Sequence, residues 1–457
     1  MNTAAEPWKV LIVRHDGSEI FLNAEGGKFS LPRIVIPARQ RIAANINRAV
    51  ERELELRVVS LYEISPKRQS ELGEVFYHAT AVVGSSACIP ESACWKSIAA
   101  LLPHSFSSEN DFAAVNTFVS GLDAKTNDDS QPFLEPRWFR AVTSWVEDSL
   151  HPYSRHLTGS FEQFNASSTF SLIRFETDDG PVWFKAVGEP NLREFPITLA
   201  LGRACPAHVP RILANNTEWN AWLADQASGQ SLSECADISR WEQAARSLAH
   251  LQIHALSTSE SVRQAGARDL RPSRLVSLVE PFFEFIGNCT SNSKEQTTDW
   301  LGDYELRELR GTIEGALVAL ERLSLPEGVG HMDLNPQNIF CSATTCVFLD
   351  WAETFVGCPF FSFEYLLQQF RRSCLSHTLS EEQFRHAYFE PWQSLIPSPE
   401  LEATVSHTPL AALFAYATTL CSSRTAQRTP TASQRAYLAS LTRRMWRITT
   451  KPISVCS

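Results

Sequence analysis

The 457-residue sequence contains no apolar run long enough to span a bilayer, so no membrane-spanning helix is expected. Its opening stretch, "MNTAAEPWKVLIVRHDG", lacks a secretory layout, and a cytoplasmic location is the expectation. Basic residues are not in excess either. A formal net charge of −10 and a pI near 5.7 argue against a nucleic-acid partner, which would call for a basic face. The eleven cysteines are odd in number and show no CxxC spacing, which suits reduced thiols better than a disulfide framework or a zinc site. There is no internal repeat, no long low-complexity tract and no Walker-type GxxxxGK[ST].

What is present is the composition of a globular protein, 44% hydrophobic and 20% charged, in a chain too long for one ordinary core. The polar, proline-bearing stretch "GLDAKTNDDSQPFLEP" marks a boundary. It divides a first domain, residues 1–121, from a linker over 122–136 and a larger second part. That part is expected to split into a strand-rich lobe, 137–228, and a helical lobe, 229–457.

In the first domain, "WKVLIVRHDGSEIFLN" places two apolar runs around His15-Asp16-Gly17 and reads as a hairpin. "RIAANINRAVEREL" carries apolar residues at Ile42, Ile46, Ala49, Val50 and Leu54, a helical spacing. "RVVSLYEI" and "VFYHATAVVG" read as further strands. A helix set between strands after "SLPRIVIPA" resembles a Nudix domain, which implies an α/β/α sandwich. That family's signature, G-x5-E-x7-R-E-U-x-E-E-x-G-U, can be laid on Ala38 to Ser60. Only Arg52, Glu53 and Leu54 match; Ala44, Leu56 and Arg57 stand where carboxylates would be. Magnesium needs several oxygen ligands, so this domain is expected to be structural or interacting, with pyrophosphate hydrolysis as the alternative. Docking, formation of a homodimer or covering of a cleft are the roles open to such a shell.

The second part opens with a Trp-bearing helical stretch, "RWFRAVTSWVEDSL", and a meander of strand-like runs. It then becomes helical from Trp241 onward, an α+β pattern. The densest chemistry lies in "GVGHMDLNPQNIFCSATTCVFLDWAE", where His331, Asp333, Asn338 and Asp350 flank two apolar runs. An Asp-x4-Asn is by itself usually a capped turn, and "LNPQN" has turn chemistry. Followed by an apolar strand that ends in Asp350, the pair resembles the signature of the aminoglycoside phosphotransferase and choline kinase superfamily, relatives of the protein kinases.

That resemblance spans Arg137 to the C-terminus and implies a two-lobed, protein-kinase-like phosphotransferase fold. It implies ATP and Mg2+ as cofactors and a small-molecule hydroxyl as acceptor, sugar-like or an amino-alcohol. Asp333 would orient the acceptor and take its proton, with His331 bracing the loop beside it. Asn338 and Asp350 would ligate the metal that bridges the phosphates. Lys185 in "VWFKAV" resembles the lysine that grips the nucleotide phosphates, and Glu194 is the candidate partner, with Glu189 as its rival. The turn "NASS" lacks glycines, but its backbone and the Ser167 and Ser168 hydroxyls can face phosphate. "AWLADQASG" resembles the connector whose backbone holds adenine.

Two residues depart from the pattern. Met332 replaces a glycine, and Ser362 stands where an aspartate generally buttresses the loop. Neither change removes a metal ligand, although they leave open a pseudokinase that binds ATP as a regulatory signal. Polycationic aminoglycosides are disfavoured as acceptors because Ser376 to Ser457 holds eight Lys and Arg against five Asp and Glu.

Overall fold

The computed structural model describes residues 5–38, 41–64, 75–84, 92–125, 132–291, 300–323, 325–373, 378–421 and 431–450. These form two compact units. The first comprises 1–195 with 212–226, the second 196–211 with 227–457. Both α-helix and β-sheet are extensive, so the α+β class holds. No described helix is long and apolar enough to cross a membrane.

The first unit begins with β1 (Ala5–Val13), β2 (Glu19–Glu25), β3 (Lys28–Ser30) and β4 (Arg33–Pro37). Helix α1 (Ile42–Leu54) follows, then β5 (Val58–Ile64), β6 (Phe76–Val82), β7 (Ala93–Ser97) and α2 (Glu109–Lys125). The strands form one sheet in the order β3-β2-β1-β6-β5, with β4 added on β1 and β7 on β2. The hairpin at His15-Asp16-Gly17 is closed by an Arg14 N–H to Glu19 carbonyl bond, with Gly17 at positive φ. Alternation along β1 sends Trp8, Val10 and Ile12 to one face, where Ile46, Ala49 and Val50 of α1 cover them. Leu11 and Val13 go to the other face with Val115 and Phe118 of α2. The expected linker therefore begins inside a helix, and its far end is a short turn at Pro132–Leu134 whose Phe133 is buried. Residues 126–131 lie outside the described ones.

Helix α3 (Trp138–Leu150) packs the stripe Trp138, Val142, Val146 and Leu150 into the same apolar cluster as Leu11 and Phe118. A second sheet then runs β8 (Leu157–Ala166), β9 (Ser171–Thr177) and β10 (Val182–Ala186). After α4 (Glu194–Ala204) it resumes with β11 (Ile212–Asn216) and β12 (Ala221–Asp225). Its order is β11-β12-β10-β9-β8, antiparallel throughout. Ile173, Phe175 and Phe184 of this sheet join that cluster, so the two sheets of the unit share one core.

Polar contacts couple the two sheets as well. The Gln163 side chain of β8 accepts from the Ser60 backbone N–H at 2.8 Å and donates to the Ser60 carbonyl at 3.0 Å, as a neighbouring strand would. Asn47 of α1 donates to the same amide oxygen, and the Ser60 hydroxyl donates to Asn47. Arg57 lays its guanidinium 4.4 Å from the Phe161 ring centre and donates to the Gly159 carbonyl. The three positions where carboxylates were sought are thus spent elsewhere: Leu56 and Ala44 are buried, and Arg57 is held on β8.

The second unit contains β13 (Gln230–Ser231), α5 (Ile238–His254), α6 (Ser259–Gln264), β14 (Arg268–Leu270), α7 (Pro272–Ser291) and α8 (Asp303–Arg322). Next come β15 (Gly328–His331), β16 (Ile339–Cys341), β17 (Cys346–Phe348) and β18 (Thr354–Gly357). The chain closes with α9 (Phe360–Arg372), α10 (Thr378–Phe389), α11 (Ser398–Cys421) and α12 (Ala432–Thr450). Two small sheets, β13-β16-β17 and β14-β18-β15, are set among these helices around a single large core.

Two consequences can be measured. Gln163→Ala leaves both backbone groups of a buried residue without partners, and should cost about 1–3 kcal/mol in urea denaturation; an unchanged midpoint would contradict the coupling. His78 on β6 is buried, its ring nitrogens have no hydrogen-bond partner among the described residues, and burial pushes its pKa down to about 3. The unfolded chain binds that proton near pH 6.5, so stability is complete above this pH and falls as pH drops toward 3. His78→Leu should lose less stability than the wild type between pH 7 and 5, read from urea midpoints. Equal losses would contradict a neutral, buried His78.

Candidate active site

Strand β15 runs antiparallel to β18, pairing His331 with Thr354 and Gly330 with Phe355. A Cβ on Gly330 would lie 2.0 Å from the Phe355 ring, so only glycine lets the strand pass over that side chain. The chain thereby delivers His331 into the core, where the residue is fully buried against Trp351, ring centres 4.9 Å apart. Both imidazole nitrogens are committed. Nδ1 accepts from the Asp333 backbone N–H at 3.0 Å, which leaves the proton on Nε2 to be donated to the Leu349 carbonyl, also at 3.0 Å. Burial pushes the His331 pKa down, keeping the ring in the neutral form this pattern needs.

Ser362, at the start of α9, accepts from the His331 backbone N–H through Oγ at 2.8 Å. A serine thus secures the loop where an aspartate was the family expectation. The Met332 N–H is taken by the Glu353 carbonyl, and the Met332 side chain is buried. Both departures from the motif are absorbed by the packing.

Asp333 follows as a half-buried carboxylate. Its Oδ1 accepts from Asn335 at 2.5 Å and from the Tyr365 hydroxyl at 3.2 Å. Oδ2 has no hydrogen-bond donor among the described residues. Burial, reinforced by the Asp333 charge, pushes the Tyr365 pKa up to about 12, so that phenol stays a donor. Gln369 donates to Asn335 at 3.3 Å and steadies it from one turn further along α9.

Asn338 donates through Nδ2 to the Asp333 carbonyl at 3.2 Å, which leaves its Oδ1 as the oxygen it can offer. The hairpin β16–β17 returns the chain to this point. Ile339 faces Phe348 in register, and the Leu349 N–H bonds to the Asn338 carbonyl at 2.8 Å. Asp350 is the next residue, exposed, with φ of 65°. Asn338 and Asp350 are thus brought to the same end of one hairpin. Among the described residues no three His, Cys, Asp or Glu gather as a metal cage. A pair of oxygen donors instead suits magnesium, which keeps waters and takes phosphate oxygens for its remaining positions.

The first unit places the other candidates. Lys185 stands in the middle strand of the second sheet, opposite Leu172 of β9 and Trp222 of β12. Its ammonium meets Glu194 Oε1 at 2.5 Å, with the glutamate side chain only 2% exposed. Glu194 opens α4, where a carboxylate also favours the helix N-terminus. The Ser167 hydroxyl accepts from the backbone N–H groups of Thr169 and Phe170, and so closes its own turn. Ser168 lends its carbonyl to the Phe133 N–H. Thr169 packs so tightly on Gly188 that a Cβ there would lie 2.2 Å away.

Asn335, Tyr365 and Gln369 were not singled out in the sequence. The available signal was the helical spacing of Ser362, Tyr365 and Gln369, which sets all three on one face of α9.

No family model and no curated protein matches the sequence. Among solved structures, the chain is similar to a choline/ethanolamine kinase family protein from Mesorhizobium loti. That match has 15% identity and a TM-score of 0.45, over 68% of this chain and 95% of that one. An ethanolamine kinase from Plasmodium vivax gives 11% and 0.47, over 72% and 94%. A choline kinase from Streptococcus pneumoniae gives 12% and 0.42, over 67% and 99%.

The Lys185–Glu194 contact supplies a test within the first unit. Lys185→Met removes the cation that sits 2.5 Å from a buried carboxylate and should lower stability by about 3 kcal/mol. The double variant with Glu194→Gln should recover part of that loss, a coupling of about 1–3 kcal/mol in a double-mutant cycle. Additive losses would contradict the pairing.

Proposed function

We propose that this chain is a phosphotransferase that moves the terminal phosphoryl group of ATP, with Mg2+, to a hydroxyl of a small molecule. The observation that carries the reading is the Asp333 carboxylate. One of its oxygens is fixed by Asn335 and Tyr365, and the other has no donor from the described residues. A carboxylate held in one orientation with a free oxygen is suited to accept a hydroxyl proton. Phosphoryl transfer asks little covalent chemistry of a protein beyond placing the reactants and neutralising charge.

The residues divide that work. Asp333 Oδ2 orients the acceptor hydroxyl. As the acceptor oxygen bonds to the γ-phosphorus and the bond to the β–γ bridging oxygen breaks, the hydroxyl proton passes to Asp333 and ADP leaves. Magnesium, held by Asn338 Oδ1 and the Asp350 carboxylate, would neutralise charge on the phosphates. Lys185, steadied by Glu194, is the cation for the nucleotide phosphates, and the Ser167 and Ser168 hydroxyls at the turn can donate to them. His331 stays neutral and holds the Asp333 and Leu349 backbones in place. The first sheet acts as a docked, non-hydrolytic domain, because Glu53 is the one acid of its expected set and lies beside Arg52.

Asp333→Asn should lower transfer by about 10²–10⁴-fold while leaving ATP affinity within about twofold of the wild type. Asp350→Ala should weaken Mg-ATP binding and leave metal-free ATP binding little changed. ATP consumption with a panel of hydroxyl compounds reads the first variant, and calorimetry with and without Mg2+ reads the second. ATP affinity lost in a folded Asp333→Asn would overturn the assignment.

A further inference from the structure

Helices α9, α11 and α12 of the second unit line a partly open pocket whose wall includes Tyr365, the residue hydrogen-bonded to Asp333. Met332, next to Asp333 in the chain, lines it too. The pocket therefore adjoins the carboxylate assigned to the acceptor hydroxyl.

Its polar lining has a definite sign. Arg372 and Arg444 both reach it, and neither forms an ion pair with a carboxylate among the described residues. Arg444 donates to the neutral amide of Gln368 at 2.5 Å, which orients its guanidinium without compensating the charge. The one acid in the wall is Glu364, 4% exposed, and its burial pushes the carboxyl toward its neutral form. Around Glu364 stand Arg371 and Arg385, whose charges oppose that effect, and Glu381, which reinforces it and which both arginines bond. The remaining polar groups are hydroxyls and amides: Tyr365, Tyr416, Tyr437 and Gln369, with Tyr416 and Tyr437 3.1 Å apart.

We propose that this pocket takes the acceptor, and that the acceptor is an anionic polyhydroxy compound whose carboxylate or phosphate is held by Arg372 and Arg444. The phenols and amides suit further hydroxyls on the same molecule, and one hydroxyl is presented to Asp333. A guanidinium offers paired donors that match either anion, whereas an ammonium-bearing acceptor would meet two uncompensated positive charges. The proposal rests on the phosphotransferase reading and narrows its substrate class away from amino-alcohols.

The test uses the full chain and four matched probes: a neutral hexitol, a hexonate, a hexose phosphate and an amino-hexose. Binding is measured by calorimetry without nucleotide, and transfer is then measured with Mg-ATP. At least one of the two anions should bind at least tenfold more tightly than the hexitol, and the preferred anion identifies the source of the charge. Arg372→Gln and Arg444→Gln should each weaken that anion by about 10–100-fold and leave the hexitol unchanged, with Arg444→Lys recovering part of the loss. Folding of each variant is checked by its melting temperature, and the exposed Arg372 keeps the test open if an Arg444 variant fails to fold. Preference for the amino-hexose, anion binding that ignores the arginines, or no binding of either anion would overturn the proposal. Arginine-dependent anion binding with no transfer to any probe would support the pocket assignment and count against the phosphotransferase reading. Transfer to the amino-hexose alone would do the reverse.

Discussion

A single neutral imidazole ties the Asp333 and Leu349 segments of the chain together. His331 is buried, takes the Asp333 N–H on one nitrogen and gives its own proton to the Leu349 carbonyl on the other. Asp333 lies just beyond one of these contacts, and Asp350 follows directly on the other. The carboxylate proposed to act on the acceptor and the one proposed to hold metal are therefore fixed to the same side chain. A protonated ring would have no lone pair for Asp333, so the low-dielectric surroundings that keep it neutral are part of the design. Ser362 completes the frame by taking the His331 N–H.

The first unit applies the same principle with different chemistry. Lys185 and Glu194 are paired out of bulk water, where an unmatched charge would be costly, so each specifies the position of the other. Beneath them, two sheets share an apolar cluster, and Gln163 imitates a strand neighbour for Ser60. The amino-terminal sheet is thus bound to the second sheet by packing and by satisfied backbone groups. Its helix α1 keeps the amphipathic pattern and lays Ile46, Ala49 and Val50 on the sheet.

Charge in the second unit is arranged by burial as much as by composition. Glu364 is an acid in the sequence, yet its position drives it toward the neutral form, while Arg372 and Arg444 keep their charge near the same pocket. Counting Lys and Arg against Asp and Glu along the C-terminal segment points in the same direction for a coarser reason. The count cannot tell which of those charges share a wall.

Local pattern was sufficient wherever neighbours in the chain decide the outcome. The alternation in β1, the helical spacing of α1, the glycine turn after Asp16, and the spacing of Asp333, Asn338 and Asp350 were all legible, because periodicity and turn chemistry act over a few residues. Helix α2 was hidden in a stretch that reads as polar linker at its end, since the contacts that stabilise it come from Leu11 and Val13, about a hundred residues away. Tyr365 on Asp333, Gln163 on Ser60 and the two arginines of the pocket depend on which elements meet. That is decided by burying apolar faces and satisfying buried polar groups across long separations, and only the tertiary structure determines it.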